Sequence, residues 1–154
     1  MPRTKQSAKN QDENGDSQAL LTEWLDHLEQ LVQAVQAWAT ELDCSTRRIG
    51  KPMNDSVLGP YQAPALLIQH ETTRLLLDPI ARFAPGVEGV VDFYVMPAYD
   101  DIATLMLREG KWSLRRDCHL GPEKLPKELP PVPFSKKVFA RVLEEMKSHA
   151  PEPL

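Results

Sequence analysis

The sequence predicts an α+β fold, in which a long N-terminal helix packs on an antiparallel meander of about five strands. Two patterns in the sequence carry this prediction. Apolar residues first recur with the period of a helix, and further along the chain they alternate with period two. The strand-like runs are joined by short connections, which favours antiparallel neighbours. A proline-rich linker and a short C-terminal helix are expected to complete the chain.

The helix is the clearest element. Apolar residues recur every seven positions from Leu21 to Leu42, and others widen the stripe beyond a coiled-coil seam. Asp16 or Ser17 is expected to cap its start. Because the stripe is wide and short, packing on a sheet is favoured over a helix–helix dimer.

The chain divides into four parts by composition. Residues 1–16 are polar and predict a disordered tail, and residues 17–120 predict a single α+β domain. Residues 121–134 hold the prolines of the linker, and residues 135–148 form an amphipathic C-terminal helix capped by Ser135.

The first residues of the tail carry a short resemblance. The run RTKQSA resembles the start of a histone tail, whose first lysine is a methylation mark. The chain has Pro2 where that pattern has alanine, and no histone-like pattern follows. We therefore interpret the segment as a solvated tail.

The strands are predicted from the runs ALLIQ, TRLLLD, VVDFYVM, IATLML and WSLRR. Alternation in two of them sorts side chains onto two faces of the sheet. One face is apolar and should receive the long helix; its predicted members are Val91, Phe93, Val95, Ala103, Leu105 and Leu107. The other face is mixed; its predicted members are Val90, Asp92, Tyr94, Met96, Ile102, Thr104 and Met106.

The mixed face is the predicted binding surface, because it would expose much apolar area if left bare. The predicted binding residues are Asp92, Tyr94, Met96, Ile102 and Met106. We expect the C-terminal helix to cover this face, docking within the same chain or, in a swapped dimer, on a partner.

An alternative is a metal-dependent nuclease that uses Asp92, Glu109 and Lys111, since an Asp followed by Glu-x-Lys is a nuclease arrangement. If residues 97–101 connect the two strands, Asp92 lies opposite Met106. Glu109 then lies about 7–10 Å away, at roughly 3.4 Å per residue, which is too far to share an ion. Gly110 favours a tight turn after Glu109.

Charge and cysteine content indicate the kind of partner and the cellular location. The net charge of −4 makes nucleic acid an unfavourable partner. Residues 17–107 carry a net charge of −7 and residues 108–154 carry +3, so the C-terminal part should be attracted to the middle of the chain. The two cysteines form no disulfide framework, and neither a signal peptide nor a membrane-spanning run is expected. These features predict a cytoplasmic protein without membrane association.

The sequence therefore favours a small non-catalytic protein-interaction module, such as an adaptor, a chaperone-like protein or an immunity-type protein. It would bind a protein partner or a second copy of itself through the mixed face or the C-terminal helix. No cofactor and no metal are expected, because cysteine and histidine lack ligand spacing. Two alternatives stay open: the nuclease, and a small-ligand pocket between helix and sheet.

Overall fold

A computed structural model describes residues 2–118, 127–128 and 130–148. The fold is α+β, with one long helix, an antiparallel seven-stranded sheet and a short C-terminal helix, which confirms the predicted class. Its elements, in chain order, are α1 Pro2–Glu41, β1 Ser45–Asp55, β2 Gly59–His70, β3 Thr73–Ala81, β4 Gly89–Met96, β5 Asp100–Arg108, β6 Lys111–Arg115, β7 Asp117–Cys118, β8 Lys127–Glu128, β9 Val132–Pro133 and α2 Lys136–Ser148. Neither helix, over the residues described, is long and apolar enough to cross a lipid bilayer.

The sheet is a meander with one added strand. Its order is β1-β2-β3-β4-β5-β6-β9, and every pair is antiparallel. The five predicted strands are β2 to β6. The two additional strands lie at the edges: β1 pairs along its whole length with β2, and β9 from the predicted linker pairs with β6. A separate two-stranded ladder joins β7 to β8.

Helix α1 supplies one layer of the core. It begins at Pro2, ahead of the start expected at Asp16 or Ser17, and so includes most of the predicted disordered tail; the domain boundaries stay a prediction. Its stripe is buried from Trp24 through Ala39, as the heptad spacing predicts.

An ion pair ties the middle of α1 to the edge strand β1. The Arg48 guanidinium donates to both carboxylate oxygens of Glu29, at 2.7 and 2.9 Å, and to Gln36 at 3.2 Å. The hydrogen bond from Arg48 lowers the pKa of Glu29. Both side chains are about two-fifths exposed, so the pair orients β1 on α1 more than it stabilises the fold.

Helix α2 lies beside α1 on the same face of the sheet. Ser135 caps it, with its Oγ accepting from the Val138 N–H at 3.3 Å, as predicted. The apolar side of α2 is fully buried at Phe139, Val142 and Met146. The expectation that this helix covers the mixed face is therefore wrong, although its docking within the chain is observed.

Aromatic rings show why α2 takes this position. The Phe139 ring lies 6.2 Å from both Trp38 of α1 and Phe93 of β4. Phe134, just before the helix, lies 5.4 Å from Trp38 and 6.1 Å from Phe93. These four rings, which we call the aromatic cluster, join α1, the sheet and α2 into one core. The apolar stripe of α2 thus completes an apolar core instead of covering a face that contains carboxylates.

We predict that Phe93→Ala lowers the free energy of unfolding by about 3–5 kcal/mol, because it removes a fully buried ring at the centre of the aromatic cluster. Phe83→Ala is the matched control, since the Phe83 side chain is 66% exposed, and should cost less than about 1 kcal/mol. Urea denaturation of the three proteins measures both values. A loss under about 1 kcal/mol for Phe93→Ala would show that the core has been placed on the wrong face.

Candidate functional site: the open face of the sheet

The sheet face opposite the two helices is the candidate site. Residues that are partners across antiparallel strands point to the same side, so the register assigns each side chain to a face. Arg48 contacts α1, and its row through Leu66, Leu77 and Phe93 is therefore the helix side. The adjacent rows form the other side. We call it the open face: Arg47, Ile49, Leu67, Gln69, Arg74, Leu76, Asp78, Val90, Asp92, Tyr94, Met96, Thr104, Met106, Ser113 and Arg115.

The centre of the open face is apolar and partly exposed. Arg47, Leu67, Leu76 and Tyr94 follow one another across four strands in a single row. Leu67, Leu76 and Tyr94 are each half-buried, and they lie on the side of the sheet opposite α1 and α2. The Tyr94 ring meets the ring of Tyr99, from the β4–β5 turn, edge-on at 6.0 Å. Tyrosine and arginine beside aliphatic side chains are the composition of protein interfaces.

A polar row runs beside this apolar centre. Asp78, Asp92 and Thr104 are partners across β3, β4 and β5. The Asp92 carboxylate is only 9% exposed, and it accepts a hydrogen bond from the Tyr94 hydroxyl and another from Thr104 Oγ1, each at 2.8 Å. Asp78 accepts from Lys51 Nζ at 2.9 Å. Asp92 thus has hydroxyl donors and Asp78 has a cation, so two facing carboxylates are accommodated despite their like charge.

Two arginines flank the apolar centre. Arg47 and Arg74 are exposed, and neither side chain makes an ion pair or hydrogen bond within the described part of the chain. Arg74 lies between Gln69 and Met96 in the next row. Their charges are available to an anionic group placed over the face.

The predicted binding residues divide between the two sides. Asp92, Tyr94, Met96 and Met106 lie on the open face, with Met106 buried at 8% exposure. Ile102 does not lie there. A β-bulge shifts the register between Phe93 and Tyr94, which pair with Ala103 and Asp101 and leave Ile102 without a partner. Ile102 turns instead into the core, where its side chain is 2% exposed.

The residues of the nuclease interpretation do not come together. Asp92 pairs with Thr104 and not with Met106, because β5 begins at Asp100 and shortens the connection. Glu109 lies five residues beyond Thr104, about 17 Å at roughly 3.4 Å per residue.

The second half of the motif forms a hairpin turn, as the glycine predicts. Glu109 and Gly110 both have positive φ, 51° and 73°, in the two-residue loop between the paired residues Arg108 and Lys111. Among the residues described, no three His, Cys, Asp or Glu side chains are grouped to hold a metal ion.

Several open-face residues were missed by periodicity. β1 contributes Arg47 and Ile49 to the open face, but its apolar residues do not alternate. An edge strand that is covered over only part of its length does not need alternating apolar and polar side chains. Leu76 and Arg74 could have been assigned to this face from the sequence, because in TRLLLD they alternate with the fully buried Leu75 and Leu77.

Comparison of the chain with protein families, with curated proteins and with solved structures finds no match.

We predict that Thr104→Val lowers the free energy of unfolding by about 1–2 kcal/mol, because the buried Asp92 carboxylate loses one of its two hydroxyl donors at constant volume. Ser113→Ala, on the neighbouring strand and the same face, is the control and should stay within about 0.5 kcal/mol. Thermal denaturation tests both. Equal stabilities for wild type and Thr104→Val would mean that Asp92 does not depend on this bond.

We also predict that the purified protein, with magnesium or manganese, cleaves neither DNA nor RNA above background. The separation of Asp92 from Glu109 and Lys111 is the reason, because two carboxylates must bind the same ion for this chemistry. Gel assays on fluorescent substrates measure it. Cleavage that disappears in both Asp92→Asn and Lys111→Ala would overturn this assignment.

Proposed function

We propose that the protein is a non-catalytic interaction module that binds a protein partner through the open face. One observation carries the proposal: an apolar row on the side of the sheet opposite both helices is flanked by Arg47 and Arg74, whose side chains have no partner among the residues that the structure describes. The apolar stripe of α2 is buried in the core, which favours the open face over the C-terminal helix as the contact.

The charges of the face define the partner. Arg47 and Arg74 present guanidinium groups beside Leu67, Leu76 and Met96. A matching surface has aliphatic side chains at its centre and Asp or Glu at its rim, because arginine binds carboxylates in a bidentate manner. A nucleic acid would supply the anions but not the apolar centre. The net charge of −4 would also repel its backbone.

The size of the face indicates a reversible complex. Six strands at about 4.8 Å span roughly 24 Å, and six residues along a strand span roughly 20 Å, giving about 500 Å² in projection. A partner that covers this area makes an interface of about 1,000 Å² in total, near the lower limit for specific association. Such a contact suits an adaptor or a chaperone-like protein more than a permanent subunit. We also propose that the protein is cytoplasmic.

The experiment compares two charge reversals by affinity capture and quantitative mass spectrometry. Arg47→Glu with Arg74→Glu changes the open face, whereas Lys137→Glu with Arg141→Glu changes the exposed side of α2 by the same charge. We expect one or more proteins to be captured by wild type and by the α2 variant, and to be lost with the open-face variant. The purified pair should then bind more weakly as salt rises.

Three results would contradict the proposal. Both variants could capture the same proteins as wild type, which would place the interface elsewhere. Capture could depend on RNA, shown by its loss after ribonuclease treatment. Wild type could also self-associate in light scattering while the open-face variant stays monomeric, which would make a second copy the partner.

A further inference from the structure

The strand β1 forms one edge of the seven-stranded sheet. It has eleven residues and pairs with β2 on one side, and on its other side it pairs with no strand among the residues that the structure describes. A strand at the edge of a sheet carries N–H and C=O groups that are directed away from its neighbour. Most residues of β1 are exposed, so the rest of the described chain does not bury this edge.

The prolines of the β1–β2 hairpin show which residues direct their backbone groups outward. In an antiparallel ladder, pairs of residues that exchange two hydrogen bonds alternate with pairs that exchange none. Proline has no N–H, so it fits only the second kind of pair. The three prolines of the hairpin, Pro52, Pro60 and Pro64, all belong to pairs of even-numbered residues, in a register that runs without a shift along the whole of β1. The even-numbered residues of β1 therefore direct their N–H and C=O groups away from β2.

Three residues offer both a donor and an acceptor at this edge. Thr46, Arg48 and Gly50 are the even-numbered residues at the start of β1, and their N–H groups donate to no residue that the structure describes. Pro52 has the same orientation but no N–H, and so it ends the run of donors. A segment of about five residues can therefore add to β1 by main-chain hydrogen bonds between Thr46 and Gly50.

The side chains along this stretch are basic. Arg48 pairs with Glu29 and Lys51 pairs with Asp78, whereas Arg47 is exposed and has no ion pair with a residue that the structure describes. A side chain opposite Arg47 in an added strand would lie beside the guanidinium group, because directly opposed residues of antiparallel strands are neighbours. An aspartate or glutamate at that position would pair with Arg47.

The same charges disfavour a second copy of the chain at this edge. An antiparallel pairing of two β1 strands centred on Arg48 places that arginine opposite its copy. A pairing centred on Arg47 places Arg47 opposite its copy, and one centred on Ile49 places Arg47 opposite Lys51. Like charges directly opposite each other destabilise a strand pair. The edge is therefore suited to an acidic strand of a different protein.

We propose that β1 binds an extended acidic segment of a partner protein, which adds to the sheet as a further strand antiparallel to β1. Main-chain hydrogen bonds to Thr46, Arg48 and Gly50 hold the segment, and the ion pair with Arg47 selects a carboxylate at the opposing position. This contact uses the edge of the sheet, so it does not depend on the proposed contact through the apolar centre of the open face.

The probe for this edge is the acetylated and amidated peptide Thr-Val-Thr-Glu-Thr. When its central threonine lies opposite Arg48, its glutamate lies opposite Arg47. The peptide is titrated at millimolar concentration into the full-length, ¹⁵N-labelled protein, and NMR spectroscopy follows the backbone amide signals. We expect saturable shifts of the Thr46, Arg48 and Gly50 signals. N-methylation of the central threonine, whose amide faces β1, should weaken binding about tenfold or more, whereas N-methylation of the glutamate, whose amide points away, should not.

Two pairs of variants locate the contact. Thr46→Pro removes one edge N–H without removing a bond between β1 and β2, and should weaken binding about tenfold. Its control, Thr46→Val, loses the hydroxyl that accepts from Gln36 but keeps the N–H, and should bind as wild type does. Arg47→Glu should weaken binding about fivefold, and Lys137→Glu, on the exposed side of α2, should not change it. Arg47 is exposed, so its variant and the N-methylated peptides test the proposal even if Thr46→Pro does not fold.

The proposal is overturned if the peptide produces no saturable shift of the three edge signals, or if both N-methylated peptides bind as tightly as the parent. Equal binding by Arg47→Glu and Lys137→Glu would contradict the preference for an acidic segment. Slow hydrogen exchange of the Thr46, Arg48 and Gly50 amides in the free monomer would mean that the chain itself occupies the edge. Protection of these amides that rises with protein concentration would make a second copy the occupant, and would contradict the proposal as well.

Discussion

The aromatic cluster determines which side of the sheet is covered. Trp38 belongs to α1, Phe93 to β4 and Phe139 to α2, and Phe134 lies just before α2. The ring centroids of neighbours lie 5.4–6.2 Å apart. Rings at such distances contribute both buried area and a preferred geometry. They hold α2 beside α1. Because both helices pack on one face of the sheet, neither of them covers the open face, which supports the proposed contact with a partner.

The polar row is a second reason why neither helix covers the open face. Asp78 and Asp92 face each other across β3 and β4, and Asp92 is satisfied by two hydroxyl groups of its own sheet. An apolar helix laid over this row would remove water from Asp78 and Lys51 without offering hydrogen bonds in return. The same row is compatible with a polar, wet contact to another protein. The open face is therefore unsuited to the chain's own apolar helix and suited to a partner with its own polar groups.

Periodicity predicted the parts of this fold that bury a regular stripe. The heptad spacing in α1 and the alternation through Val91, Phe93 and Val95 report burial directly, because each residue of the pattern contacts the core. The edge strands were missed for a physical reason. β1 is covered on one side only along part of its length, and β9 ends in Pro133, a residue that the interior of a sheet excludes but an edge accepts.

The sequence predicted the residues at the centre of the candidate site but not those at its periphery. Tyr94, Met96 and Asp92 follow from alternation within one strand. Ile102 was assigned to the wrong side because a bulge adds one residue, and one added residue reverses every assignment beyond it. Arg47 reaches the site only through strand pairing between distant segments, which single-sequence patterns do not specify.

Oxidation of methionine by hydrogen peroxide tests most directly whether the open face is bare. Met96 is half-buried at the open face, whereas Met146 of α2 is fully buried in the core. Peptide mass spectrometry on the monomer, at low peroxide concentration, gives the oxidation rate of each residue. The structure predicts that Met96 is oxidised well before Met146. Protection of Met96 equal to that of Met146 would mean that another part of the chain covers the open face, and would contradict the account.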